Sequence, residues 1–313
     1  MDSNNFDSYK KIIDNRLLDI YKDGPILLKE PINYIIEGGK RIRPILCMLT
    51  NEACGGKLEE VVSPAVSIEL LHIFSLIHDD IMDDDILRHN KKTLHCKWNV
   101  PVGILSGDAI LALALKELNM SSDLIRKKFN NTLIAVCEGQ ALDIEYESTD
   151  KVNLNNYLKM IDLKTAYMIG LSAELGAIVA GVKKDISFLF KKFGLLLGRA
   201  FQLQDDLLEI TSTEKQMGKS LDSDIVLNKK TYLLLNAEDK YPQEIKAIYC
   251  ENKNDISKLN KEIKKFLECS GVIDECIEYV GLTFDEINEH LNKLSLSKSK
   301  LSIFVNNMRN KKF

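Results

Sequence analysis

Proline is scarce, at six residues in 313, so few positions interrupt long helices. Strand-like alternation of apolar and polar residues is almost absent. There is no repeat of fixed period, no low-complexity linker and no shift of composition along the chain. Cysteine is present but unorganised: Cys47, Cys54, Cys96, Cys137, Cys250, Cys269 and Cys276 are odd in number, scattered, and form no CxxC pair. That excludes a disulfide framework and a zinc site of the usual spacing, and it fits a reducing cytoplasm. Positive charge is not in excess: the formal net charge is -4 and the pI about 5.9, against a general nucleic-acid binder. No uninterrupted apolar run reaches spanning length, and the polar, acidic residues 1–10 do not read as a signal peptide. The expectation is a cytoplasmic chain with no transmembrane segment, which meets any apolar substrate from the soluble side.

What is present is a core's worth of apolar residues, 45% of the chain, at helical spacing. Residues 154–180 read as one helix, with Leu158, Ile161, Thr165 and Met168 on a stripe, and residues 186–210 as another. The breakers between such segments are short: Asp23-Gly24-Pro25, Gly38-Gly39, Gly55-Gly56, Val100-Pro101, Tyr241-Pro242 and Ser270-Gly271. Short connections between long helices predict one all-α domain over residues 1–313, a bundle of antiparallel helices with a more charged C-terminal third.

Three polar clusters interrupt this pattern. In His78-Asp79-Asp80-Ile81-Met82-Asp83-Asp84-Asp85, five carboxylates fall within seven residues at the end of an apolar run. Such crowding gains nothing unless cations are close, and the C-terminal end of a helix disfavours acidic groups further. At about 100° per residue, Asp79 and Asp83 lie within about 40° of each other, one turn apart, and Asp80 and Asp84 form a parallel pair. Paired carboxylates suit magnesium, which takes one or two of them and completes its shell with water and phosphate oxygens. The segment Phe201-Gln202-Leu203-Gln204-Asp205-Asp206-Leu207-Leu208-Glu209 follows the same logic, with Asp205 and Glu209 on one face. One DDxxE alone is usually a solvated face; two, each extending an apolar helix, point to metal ions held between helices. The third cluster, Gly38-Gly39-Lys40-Arg41-Ile42-Arg43-Pro44, is a glycine turn opening a helix, where backbone N–H groups and side-chain cations favour a phosphate. It lacks the spacing of a P-loop. Arg88, Lys164, Lys219, Lys229 and Lys230 supply further cations, which complement two diphosphates.

Taken in order, GGKRIRP (38–44), ELLHIFSLIHDDIMDDD (69–85), CEGQALD (137–143), KTAYM (164–168), FQLQDDLLE (201–209) and GKSLDSD with KKT (218–231) resemble the trans-isoprenyl diphosphate synthases. This is the polyprenyl synthetase family, which includes farnesyl and geranylgeranyl diphosphate synthases. The resemblance implies an isoprenoid synthase fold with a deep central cavity, a homodimer, and condensation of isopentenyl diphosphate with dimethylallyl, geranyl or farnesyl diphosphate. It implies that Asp79, Asp80 and Asp83 bind magnesium on the allylic diphosphate, and that Asp205, Asp206 and Glu209 hold a further magnesium. Lys40, Arg43 and His72 would bind isopentenyl diphosphate. Arg88, Lys164 and Lys229 would contact the allylic diphosphate, with Lys219 a further contact. Thr165 and Gln202 would lie near the developing carbocation.

His78 and His95 are expected to be structural. Asp84 and Asp85 are expected beside the ligands or in solvent, and Gln140 and Asp143 to line the cavity or pack helices. Three positions depart from the family pattern: His89 stands where a second arginine is usual, Glu209 where aspartate is usual, and Asn228 where glycine is usual. The first replaces a permanent charge with an imidazole only partly protonated near neutral pH.

Two other readings use the same residues. A class I terpene cyclase shares the magnesium-assisted ionisation but needs no second diphosphate site, so Lys40, Arg43 and His72 speak against it. A weakly active subunit of a heteromeric synthase typically lacks aspartates of one motif, and neither motif is lost here.

Product length is read at Phe74. It lies five residues before Asp79, roughly 7.5 Å down the helix axis, with Ser75 beside it and Leu71 a turn deeper. Phe74 points about 140° from Asp79, so the helical wheel leaves core and tunnel roles open. The resemblance implies that a bulky residue here floors the chain tunnel. Farnesyl-forming relatives often place a second aromatic where Ser75 stands, or an insertion in the first acidic motif, and this chain has neither. Geranylgeranyl diphosphate is the expected product, with farnesyl diphosphate as the alternative.

Overall fold

The computed structural model describes residues 6–88, 90–149, 152–211, 230–252, 255–295 and 299–310, the side chains of Glu209 and Ile256 excepted. Its helices are α1 (Asp7–Leu18), α2 (Ile26–Ile36), α3 (Ile42–Ala53), α4 (Leu58–Met82), α5 (Leu94–Lys97), α6 (Val100–Glu117) and α7 (Asp123–Glu147). They continue with α8 (Leu154–Ile161), α9 (Tyr167–Val179), α10 (Lys184–Thr211), α11 (Tyr232–Lys240), α12 (Pro242–Asn252), α13 (Ile256–Cys269), α14 (Val272–Lys293) and α15 (Lys300–Arg309). One hairpin, β1 (Leu87–Arg88) with β2 (Lys91–Lys92), pairs antiparallel just after the first acidic motif, turning at Asn90 with φ 61°.

Three of the six prolines, Pro44, Pro101 and Pro242, fall in first turns, where a missing N–H costs nothing, while Pro31 and Pro64 lie within α2 and α4. Asn99, Ser122 and Asn153 cap α6, α7 and α8 by accepting backbone N–H groups of the first turn.

The centre is α9, in which every residue from Met168 to Ala177 is buried. A helix apolar on all sides has to be enclosed, and α3, α4, α7 and α10 pack around it. Small residues let α10 come close. A Cβ on Gly194 would stand 2.7 Å from the Ile169 carbonyl oxygen, and one on Gly198 would stand 2.5 Å from the Ala166 Cα. This approach carries the C-terminal half of α10, with the second acidic motif, against the polar stretch that precedes α9. Helix α4 is, among the described residues, the one long and apolar enough by length and composition to cross a membrane. It has the composition of a core helix, with 61% of its apolar window buried by neighbours. Glu69, His72 and the aspartates break up the run when it is read residue by residue.

Two local expectations are corrected. Residues 154–180 are not one regular helix: between α8 and α9 lies a five-residue π-helical turn, Asp162–Ala166. Helix α4 ends at Met82, with Asp83 as its C-cap, and Asp84 has φ 54°. Asp80 and Asp84 therefore do not form a helical pair; Asp84 turns into solvent, its side chain 98% exposed.

Candidate active site

The first acidic motif is built by the last turn of α4. The Asp83 backbone N–H donates to the Asp79 carbonyl at 2.9 Å, which keeps the two residues one turn apart. Arg88, delivered by the hairpin, gathers the cluster: its Nη2 lies 3.3 Å from Asp79 Oδ2 and 3.2 Å from Asp85 Oδ2, and its Nε donates to Asp80. Burial pushes the Asp80 carboxyl up to about 6, with Arg88 opposing the rise. Burial also works against the Arg88 charge, but Asp80 and Asp79 outweigh it and hold the guanidinium above its ordinary range.

Lys164 comes from the π turn. Its Nζ lies 2.9 Å from Asp79 Oδ1 and 2.6 Å from Asp143 Oδ2 on α7. Asp143 thus earns its burial as a lysine partner rather than as packing. Against burial, Asp79 and Asp143 keep the ammonium charged and its pKa raised. The next residue, Thr165, donates from Oγ1 to Gln202 Oε1 on α10 at 3.0 Å, and Gln202 Nε2 donates to Asp206 Oδ1 at 3.2 Å. Two adjacent residues of one π turn therefore reach the two acidic motifs, one each. π turns recur at functional sites because the extra residue re-aims side chains that a regular helix would spread around its axis.

Asp206 is fully enclosed. Tyr157 of α8 donates its hydroxyl to Oδ2, and the Tyr232 backbone N–H donates to the same oxygen at 3.1 Å. Burial nonetheless pushes its carboxyl up to about 6. Tyr157 was not legible as a site residue, since on the sequence it is an aromatic on an apolar stripe. Its hydroxyl favours the ionised form of Asp206, the form that a metal ligand would need. Tyr157→Phe is expected to raise the magnesium concentration for half-maximal activity about tenfold, the worth of one hydrogen bond to a charged group. A magnesium titration of the variant at fixed pH checks this; an unchanged midpoint would show that Tyr157 only packs.

The glycine turn opens α3 as expected. Lys40 is exposed, Arg43 is half-buried, and its Nε finds no hydrogen-bond partner among the described residues. Burial lowers the Arg43 pKa, opposed by nearby Glu69 and Asp205, so this arginine sits in reach of the second acidic motif. His72 is half-buried on α4, below the first acidic motif. Phe74 is half-buried, its ring 4.6 Å from that of His78, while Leu71 is fully buried. The Ser75 hydroxyl donates to the His72 carbonyl at 2.8 Å. His78 Nδ1 lies 3.2 Å from the Phe74 carbonyl oxygen, a structural contact as expected. His89, Lys219 and Lys229 lie outside the described residues, as does the side chain of Glu209.

Among the described residues no three side chains of His, Cys, Asp or Glu stand together as a ready-made metal site. The donors here are carboxylate oxygens in ones and twos, two of them buried with raised pKa values. That set fits magnesium, which needs one or two protein carboxylates and takes its remaining ligands from water and phosphate.

An all-α array with two acidic helix motifs bridged through one polar turn has the isoprenoid synthase fold, and solved structures agree. The heptaprenyl diphosphate synthase of Staphylococcus aureus superposes with a TM-score of 0.89 at 27% identity, covering 99% of each chain. The sequence pattern of polyprenyl synthetases matches residues 25–267, and the chain belongs to that family. Among its relatives, a geranylgeranyl diphosphate synthase of Sulfolobus acidocaldarius is 37% identical over 256 residues, 78% of each chain. A geranylgeranyl pyrophosphate synthase of Geoglobus acetivorans is 31% identical, over 93% of this chain and 92% of its own.

Proposed function

We propose that this prenyltransferase condenses isopentenyl diphosphate with an allylic diphosphate and releases geranylgeranyl diphosphate. The observation that carries the reading is the joining of both acidic motifs through Lys164 and Thr165. It brings the two acidic helices and a cation around one point of charge.

The chemistry divides among named residues. Magnesium held by Asp79, Asp80 and Asp83 and by Asp205, Asp206 and Glu209 would supply Lewis-acid neutralisation of the leaving diphosphate. Lys164, Arg88 and Lys229 add fixed positive charge where the allylic carbon–oxygen bond breaks, and Lys219 a further one. Thr165 and Gln202 present oxygens near the allylic cation, and the surrounding apolar helices exclude water from it. Lys40, Arg43, His72 and His89 hold the second diphosphate so that its double bond faces that cation. The double bond attacks, and the proton lost afterwards goes to the departed diphosphate.

The chain acts as one domain and as a homodimer. In support, α6 shows Ile104 and Leu115, on nearly one line of the helix, together with Leu105, and α7 shows Ile134 and Ile144, all large apolar residues left exposed.

The product assignment rests on Phe74 and on the names of the two relatives. Solvent-accessible space touches Phe74 but not Leu71 one turn deeper, as a floor at Phe74 requires. Since a heptaprenyl synthase shares the fold, the fold alone does not set product length and side chains have to. Phe74→Ala is expected to shift products beyond C20, and Ser75→Phe to shorten them towards farnesyl diphosphate. The test is turnover of the pure protein with isopentenyl and allylic diphosphates, followed by chromatography of the dephosphorylated products. Wild-type products of C30 or longer would overturn the assignment. Cyclised products would make the protein a cyclase, and no turnover without a partner chain would make it a subunit.

A further inference from the structure

Arg41 stands between Lys40 and Arg43 and, on the sequence, is one more cation of a phosphate-binding run. Its geometry says otherwise. The side chain is 3% exposed and every donor points inward. Nε donates to Asp14 Oδ1 of α1 at 2.8 Å, Nη1 to Glu69 Oε1 of α4 at 2.8 Å, and Nη2 to the Ile36 carbonyl at the end of α2. A guanidinium can serve three acceptors in one plane; a lysine ammonium at this place cannot.

We propose that Arg41 is a positioning residue for isopentenyl diphosphate: tied to Asp14, Glu69 and Ile36, it holds the glycine turn so that Lys40 and Arg43 meet the incoming diphosphate. The proposal rests on the reading of Lys40, Arg43 and His72 as that subsite. Three observations carry it. First, Gly38 and Gly39 both have φ of 88°, and two glycines in succession leave the turn many conformations. Something outside the turn has to select one. The Arg41 guanidinium lies directly against it, since a Cβ on Gly39 would stand 3.2 Å from Nη1. Second, Arg41 itself has φ 55°, which is disfavoured for a residue with a side chain, and its carbonyl accepts the Ile45 N–H at 3.1 Å to begin α3. One buried anchor therefore sets both the turn that presents Lys40 and the first helical turn that presents Arg43. Third, Glu69 is shared ground between the two arginines. Its Oε1 takes Arg41, while its Oε2 and the Arg43 Nε are both buried with no hydrogen-bond partner among the described residues. Arg41 thus fixes the orientation of the carboxylate that lies near Arg43, and the Arg43 Nε is not tied to it.

The arrangement also couples α1 to the subsite, through Asp14, whose side chain is 36% exposed. The test is steady-state kinetics with each substrate varied in turn. Arg41→Lys keeps the charge but loses the planar fork, and is expected to raise KM for isopentenyl diphosphate about tenfold or more, with KM for the allylic diphosphate moved less than about twofold. Asp14→Asn should move the same ratio in the same direction by about threefold, and the double variant should do no more than Arg41→Lys alone, because both changes break one contact. A purely structural arginine would lower Tm and leave the ratio of the two KM values alone, and that result overturns the proposal. Should Arg41→Lys fail to fold, the ratio in Asp14→Asn decides in its place. Arg43→Ala is the control: if it leaves KM for isopentenyl diphosphate unchanged, the subsite reading has failed rather than the role of Arg41.

Discussion

Asp79→Ala is expected to lower turnover by about 10²–10³-fold or more while the helical array stays folded, and Asp205→Ala to do the same. The loss follows from what these carboxylates face. Asp79 lies between Lys164 and Arg88, the two cations proposed to meet the leaving diphosphate, and on that proposal it would share a magnesium ion with Asp83 one turn on. Removing it would take away the proposed metal ligand and also an anion that holds Lys164. Folding should survive because neither cation is stranded: Lys164 keeps Asp143, and Arg88 keeps Asp80 and Asp85. A chelator should abolish wild-type activity and added magnesium restore it. Turnover measured beside a thermal melt separates the two effects. An Asp79→Ala protein with near-normal turnover would falsify the metal assignment at the first motif.

A second large effect is expected at a residue with no functional group. Gly139 on α7 faces the π turn so closely that a Cβ there would stand 2.3 Å from the Lys164 amide nitrogen, 2.7 Å from its Cα and 2.8 Å from the Leu163 carbonyl carbon. All three are backbone atoms, so no side chain can swing aside. Gly139→Ala has to push α7 and the turn apart, which strains the 2.6 Å contact of Lys164 with Asp143 and the 2.9 Å contact with Asp79. Overpacking of this kind costs about 1–3 kcal/mol. A displacement of about 1 Å at Lys164 and Thr165 is expected to lower kcat about 100-fold. Gly281, inside α14, is the matched control. Nothing lies within 4 Å of a Cβ placed there, so Gly281→Ala should stabilise the protein by about 0.5–1 kcal/mol and leave kcat alone. Equal behaviour of the two alanine variants would sink the argument.

These two predictions draw on different kinds of information. Asp79 and Asp205 were visible in the sequence because carboxylates crowded at the end of an apolar helix conflict with every local preference, and such a conflict marks a site whatever the fold. The helical class was visible for a related reason. Scarce proline, short breakers and apolar residues at helical spacing are local properties, and α4 and α10 follow from them. The order of six motifs was likewise enough to place the chain among the polyprenyl synthetases.

The tertiary structure alone decided how the motifs meet. A π turn replaces regular helix between α8 and α9, and no periodicity announces it; Gly139 of another helix packs directly against its backbone. That turn is what sends Lys164 to one motif and Thr165 towards the other. In the same way only the tertiary structure puts the Tyr157 hydroxyl on Asp206, and shows that Arg41, on the sequence one more cation of the glycine-turn cluster, spends its donors on Asp14, Glu69 and Ile36. Sequence spacing reports which residues share a face of one helix. Which buried donor meets which acceptor depends on groups brought together from distant helices, and burial is what forces each of them to find a partner.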